Sequence, residues 1–135
     1  MTPQELLASL ADHIKKGESA ALLTIIETKG SVPRETGAKM LVFPDGHIKG
    51  TIGGGRLEAQ AREDALKALR EGISTKTTYT LEPHSLGMYC QGEVEIFIDV
   101  FQEPLRLIIL GAGHVGEKVG ALAAFLGIPY VVVDD

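Results

Sequence analysis

One cysteine in 135 residues excludes an intrachain disulfide framework and a multi-cysteine zinc site. A reducing cytoplasm is the compartment that fits this usage. Basic residues are in deficit, 13 Lys and Arg against 18 Asp and Glu, for a net charge of −5. Nucleic-acid binding through a basic surface is therefore not expected. No segment approaches the roughly 18 apolar residues that span a bilayer. The first residues also lack the basic and apolar regions of a secretory leader. The four histidines, His13, His47, His84 and His114, show no metal-ligand spacing, so no zinc site is expected. Ser31 and Ser85 read as loop residues rather than nucleophiles. Disorder is not expected either, because apolar residues recur along the whole chain. The length suits one domain, or one domain with a fragment of another.

Glycine is what the sequence has in excess: 16 residues, about 12% against a usual ~7%. The glycines punctuate a readable order of elements. Thr2, Pro3 and Glu5 form a helix start with a capping box, followed by an apolar stripe of Leu6, Leu7, Leu10 and Ile14 that Gly17 ends. Ala20–Thr28 reads as a strand, and Lys29–Gly37 as a polar loop. Lys39–Phe43 and His47–Ile52 read as a hairpin around Pro44-Asp45-Gly46. A helix follows over Arg56–Glu71, with Leu57, Ala61, Ala65 and Leu69 on one face and Glu58/Arg62 and Glu63/Lys67 as i,i+4 pairs. Ser74–Leu81 and Glu93–Phe101 read as strands. In the second, Val94, Ile96, Ile98 and Val100 alternate with Glu93, Glu95, Phe97 and Asp99, so one face is expected to be buried.

The end of the chain differs in kind. Leu105–Leu110 is an apolar run expected of a parallel strand buried on both faces. A glycine turn, a helix to about Leu126 and a strand over Tyr130–Val133 follow. The fold expected is α/β: residues 1–101 form a mixed, mostly antiparallel sheet with two helices, and residues 104–135 a partial Rossmann-like βαβ unit.

Gly111, Gly113 and Gly116 fit the dinucleotide fingerprint, and Asp134 stands where an acidic residue would bind a ribose hydroxyl. That points to NAD or another nucleotide. The alternative is a unit that uses its glycines for packing alone. Gly53-Gly54-Gly55 before a helix is a second candidate anion site, a nest of amides with Arg56 and Arg34 adding charge. The alternative there is a tight strand-to-helix connection. Cys90, flanked by glycines, is either a reactive thiol or a buried one. A strand pair with an uncovered edge favours association, and a homodimer is expected.

Glu27-Thr28-Lys29-Gly30-Ser31-Val32-Pro33-Arg34, Gly37-Ala38-Lys39-Met40-Leu41-Val42, Gly50-Thr51-Ile52-Gly53-Gly54-Gly55 and Leu86-Gly87-Met88-Tyr89-Cys90-Gln91-Gly92 occur in order. Together they resemble the xanthine dehydrogenase accessory protein (XdhC/CoxI) family. The resemblance implies a maturation factor that binds molybdenum cofactor, a pterin dithiolene ending in a phosphate or nucleotide, and hands it to a molybdenum hydroxylase apoenzyme. It implies a chaperone rather than a catalyst. Gly53, Gly54, Gly55 and Arg56 would hold an anionic part of the cofactor, Arg34 and Lys39 would supplement the charge, and Cys90 would supply a thiol contact. Two departures stand out: Arg56 occupies a position where many members carry Cys, and the sequence covers only the start of the family's Rossmann domain. Two other readings remain, a nucleotide-binding oxidoreductase carried by Gly111, Gly113, Gly116 and Asp134, and an interaction module without a ligand.

Overall fold

A computed structural model describes residues 1–82, 92–102 and 106–135. The chain divides into two compact units, Met1–Gln102 and Glu103–Asp135. The first runs α1 (Pro3–Lys15), β1 (Ala20–Lys29), β2 (Lys39–Val42), β3 (Ile48–Gly50), α2 (Gly55–Glu71), β4 (Thr75–Leu81) and β5 (Gly92–Phe101). Its five strands lie in the order β3-β2-β1-β5-β4, and each neighbouring pair is antiparallel.

The period of two along each strand sorts side chains between two layers. Ala21, Leu23 and Ile25 of β1, Met40 and Val42 of β2, and Val94, Ile96 and Ile98 of β5 meet Leu57, Ala61, Ala65, Ala68 and Leu69 of α2. On the opposite face, Leu6 and Leu10 of α1 pack over Ala20, Leu41 and Phe43. The apolar face expected of α2 is thus the buried one. Both capping-box bonds of α1 form, from Thr2 N–H to Glu5 Oε2 at 2.7 Å and from Glu5 N–H to Thr2 Oγ1 at 3.2 Å.

Three expectations need correction. Leu7 and Ile14 are exposed, because α1 packs mainly on β1 and β2 through Leu6 and Leu10 and needs a narrower stripe than the sequence offers. The i,i+4 pair of Glu58 with Arg62 is absent, since each side chain takes a backbone partner instead. Glu63 and Lys67 likewise form no ion pair with each other; the ion pairs among the described residues join other groups.

The second unit consists of β6 (Leu107–Leu110), α3 (His114–Phe125) and β7 (Tyr130–Val133). β6 and β7 pair in parallel, Leu107 opposite Tyr130 through Leu110 opposite Val133. The parallel strand was expected to be buried on both faces. Within β6 only Ile109 is buried, while Leu110 is 81% and Phe125 of α3 85% exposed. Two strands and one helix can cover only one face of a sheet.

Candidate functional site

The site is built where β3 hands over to α2. Gly53, Gly54 and Gly55 all have positive φ, +132°, +74° and +61°. At Gly54 and Gly55 a Cβ would meet nothing within 4 Å, so backbone conformation alone demands glycine there. At Gly53 the Pro33 ring stands where a side chain would begin. The turn is pinned on either side by buried Ile52 and Leu57.

A side-chain clasp holds the turn from within. Glu58 Oε2 accepts from the Gly54 N–H at 2.9 Å and from the Thr51 hydroxyl at 2.7 Å. Thr51 Oγ1 in turn accepts from the Gly53 N–H at 3.1 Å. Two of the amides expected to converge on a ligand are therefore bonded inside the protein. The clasp escapes a reading by helix periodicity, which assigns Glu58 to Arg62. Its sequence signal is an acidic residue in the first turn of a helix that has no side-chain cap of its own, a relative of the capping box.

Beside the turn lies a cavity of about 670 Å³, within the usual ~300–1,000 Å³ of small-molecule sites. Val32, Pro33, Leu57, Tyr79 and Leu81 supply apolar walls, with Ser31, Gln60 and Thr80 among the polar groups. Gly53, Gly54, Gly55 and Arg56 all line it. Arg56 Nη1 reaches Glu82 Oε2 at 3.3 Å, both side chains being largely exposed. The Tyr79 hydroxyl donates to Asp64 Oδ2 at 2.6 Å. Burial, and then that bond to a carboxylate, push its phenol well above the ordinary tyrosine value, so Tyr79 stands in this wall as a neutral phenol whose proton is committed to Asp64.

Arg34 and Lys39 do not join the glycine turn in one lining. They border a second cavity of about 720 Å³, with Thr36 and Thr51, and Pro33 lines both cavities. Lys39 Nζ donates to Thr24 Oγ1 at 3.4 Å. Cys90 lies outside the described residues. Among the described residues no group of three His, Cys, Asp or Glu could hold a metal ion, and no helix is long and apolar enough to cross a membrane.

The remaining candidates belong to the second unit. Gly113 caps α3, and the Glu117 N–H bonds its carbonyl at 2.9 Å. A side chain at Gly116 would collide with the Gly111 carbonyl, so the first and third glycines of the fingerprint are in close contact. Gly111 N–H donates to Val133 O at 2.7 Å, tying the turn to β7. Asp134 follows β7 and is exposed.

Comparison with known proteins places these features in a family. Over 117 residues, 84% of this chain, the sequence is 38% identical to YqeB of Escherichia coli K12. It is 32% identical over 74 residues, 55% of this chain, to PaoD of the same organism, named as a molybdenum cofactor insertion chaperone. The aligned segments span only 21% and 23% of those two proteins. A crystal structure described as a xanthine dehydrogenase from Bacillus halodurans shares the fold with a TM-score of 0.61 at 21% identity, covering 98% of this chain and 62% of that one. The family model described as XdhC and CoxI matches residues 13–80, which take in the Pro33 loop, the glycine turn and the Thr51–Glu58 clasp. On that match the chain belongs to the XdhC and CoxI family.

Proposed function

We propose that the chain acts as an accessory factor for molybdenum hydroxylases, binding molybdenum cofactor as cargo and delivering it to the apoenzyme in the cytoplasm. The observation that carries this reading is the cavity walled by the Pro33 loop and the triple-glycine turn. It has the size of a small-molecule site, apolar faces for a ring and hydroxyl and amide groups at its margin. Membership of the family and the likeness to PaoD support the same role. Gly53, Gly54, Gly55 and Arg56 border the cargo; Arg34 and Lys39 offer positive charge beyond Pro33.

The test is protein purified anaerobically from a host that makes the cofactor, with bound molybdenum and oxidised pterin quantified per chain. Stoichiometric retention is expected, and Gly54→Asp should abolish it while preserving the circular dichroism spectrum. Equal retention by that variant removes the turn from the site. No retention by the unaltered protein overturns the cargo role.

The close packing of Gly116 on Gly111 at the head of α3 favours a second activity, nucleotide binding by the second unit, with Asp134 on the ribose. Calorimetric titration with NAD and NADH tests it, and no heat of binding refutes it. The exposed apolar residues of that unit favour a homodimer; sedimentation as a monomer at micromolar concentration refutes that assembly.

A further inference from the structure

We propose, building on the cargo reading above, that the glycine-lined cavity takes the uncharged ring of its ligand, and that the ligand's anionic tail lies past Pro33 against Arg34 and Lys39. An anion at the glycine turn would have to approach a carboxylate already seated there. Glu58 takes the Gly54 amide and, through Thr51, the Gly53 amide is bonded as well. The head of α2 thus already has its negative charge, supplied by its own first turn. Arg56 is the one cation in the described lining of this cavity, and it faces Glu82. Counting the clasp, two carboxylates oppose one guanidinium, and the rest of the described lining is uncharged, with Val32, Pro33, Leu57 and Leu81 as its apolar part. These are the surroundings of a neutral ring with edge hydrogen bonds rather than of a phosphate.

The neighbouring cavity has the opposite balance. Arg34 and Lys39 face a single acidic residue of its lining, Glu35. Neither cation forms an ion pair among the described residues, and Lys39 bonds only the neutral Thr24 hydroxyl. Pro33 is common to both linings, so a ring on one side of it and an acidic tail on the other match the charges that the fold provides.

The experiment titrates the full chain with neopterin and with neopterin monophosphate, following pterin fluorescence at two salt concentrations. A charge-assisted contact strengthens binding by about tenfold or more, so the monophosphate should bind that much more tightly at low salt. The advantage should shrink at high salt. In the R34E/K39E double variant the ratio of the two dissociation constants should fall to near one. In Glu58→Gln, which keeps an acceptor oxygen and removes the charge, the ratio should stay as in the unaltered protein. A ratio that survives R34E/K39E, or that rises about tenfold in Glu58→Gln by relief of like-charge repulsion, places the anion at the glycine turn and overturns the proposal. Failure of neopterin to bind overturns it too. If neopterin binds as expected while no molybdenum is retained by protein from the cofactor-making host, the cargo reading falls and the division of the site by charge stands.

Discussion

Removing the Glu58 carboxylate should destabilise the first unit far more than removal of an ordinary surface glutamate. Glu58→Ala leaves the Gly54 N–H and the Thr51 hydroxyl without their acceptor. Hydrogen bonds to a charged group contribute about 1.5–3 kcal/mol each when sequestered. The site is half-buried, so water replaces part of that, and a net loss of about 2 kcal/mol is the working figure once the lost charge at the helix N-terminus, about 0.3–1 kcal/mol, is included. For a unit of this size such a loss lowers Tm by about 10 °C. Glu58→Gln keeps an acceptor and should cost about half as much.

Thr51→Val removes the middle of the clasp and should cost about 1–2 kcal/mol. Because Thr51 and Glu58 share one bond, the double variant should be less destabilised than the sum, with a coupling of about 1 kcal/mol. Urea unfolding monitored by circular dichroism gives all four stabilities. A loss below about 0.5 kcal/mol for Glu58→Ala, the range of neutral surface changes, or strict additivity with Thr51→Val, would refute the clasp.

Gly54→Ala should cost about 1–3 kcal/mol although its Cβ has open space, because φ +74° with ψ −172° is a backbone region reserved for glycine; an unchanged urea midpoint would contradict this. Ile96→Ala, at a fully buried position between the helix and the middle of the sheet, should cost about 2–5 kcal/mol, measured the same way. The Tyr79 phenol is raised by burial and by Asp64, so its protonated form favours the folded state. The stability it adds is complete below the unfolded value of 10.0 and is lost as pH rises beyond it. Tyr79→Phe should flatten that alkaline decline in a pH series of thermal melts. Lys76 holds Glu95 below the ordinary glutamate value, so Lys76→Ala should move the Glu95 carboxyl resonance to a higher titration midpoint by NMR.

The order of elements was legible because each boundary carries its own chemistry. Thr2 and Glu5 start α1, Gly72 stops α2 in a left-handed conformation, and the alternation of Val94, Ile96 and Ile98 gives β5 its buried face. What these local signals lack is the extent of the opposing surface. Leu7 and Ile14 belong to an apolar stripe by spacing, yet their burial depends on how much sheet α1 meets. Ile108 and Leu110 have the composition of a doubly covered strand, but coverage is a property of neighbouring elements.

The glycine turn shows what a linear reading leaves out: the partners its amides already have. Three glycines before a helix mark the turn in the sequence, and their positive φ values explain why glycine stands there. The amides of a nest attract an anion only while they are free. Whether they are free depends on Thr51, placed before the turn, and on Glu58, four residues after Gly54, and neither looks remarkable in a linear reading. Helix periodicity puts Glu58 opposite Arg62 with equal justification, yet Arg62 Nε reaches 2.7 Å across to the Gly46 carbonyl. That bond fixes the β2–β3 turn against α2 and leaves the glutamate to the glycines. The choice between the two partners is made by the hairpin, whose place over the helix is set by Met40 and Val42 in the core. A packing decision made in the sheet thereby leaves Glu58 at the head of α2, where its carboxylate takes the Gly54 amide.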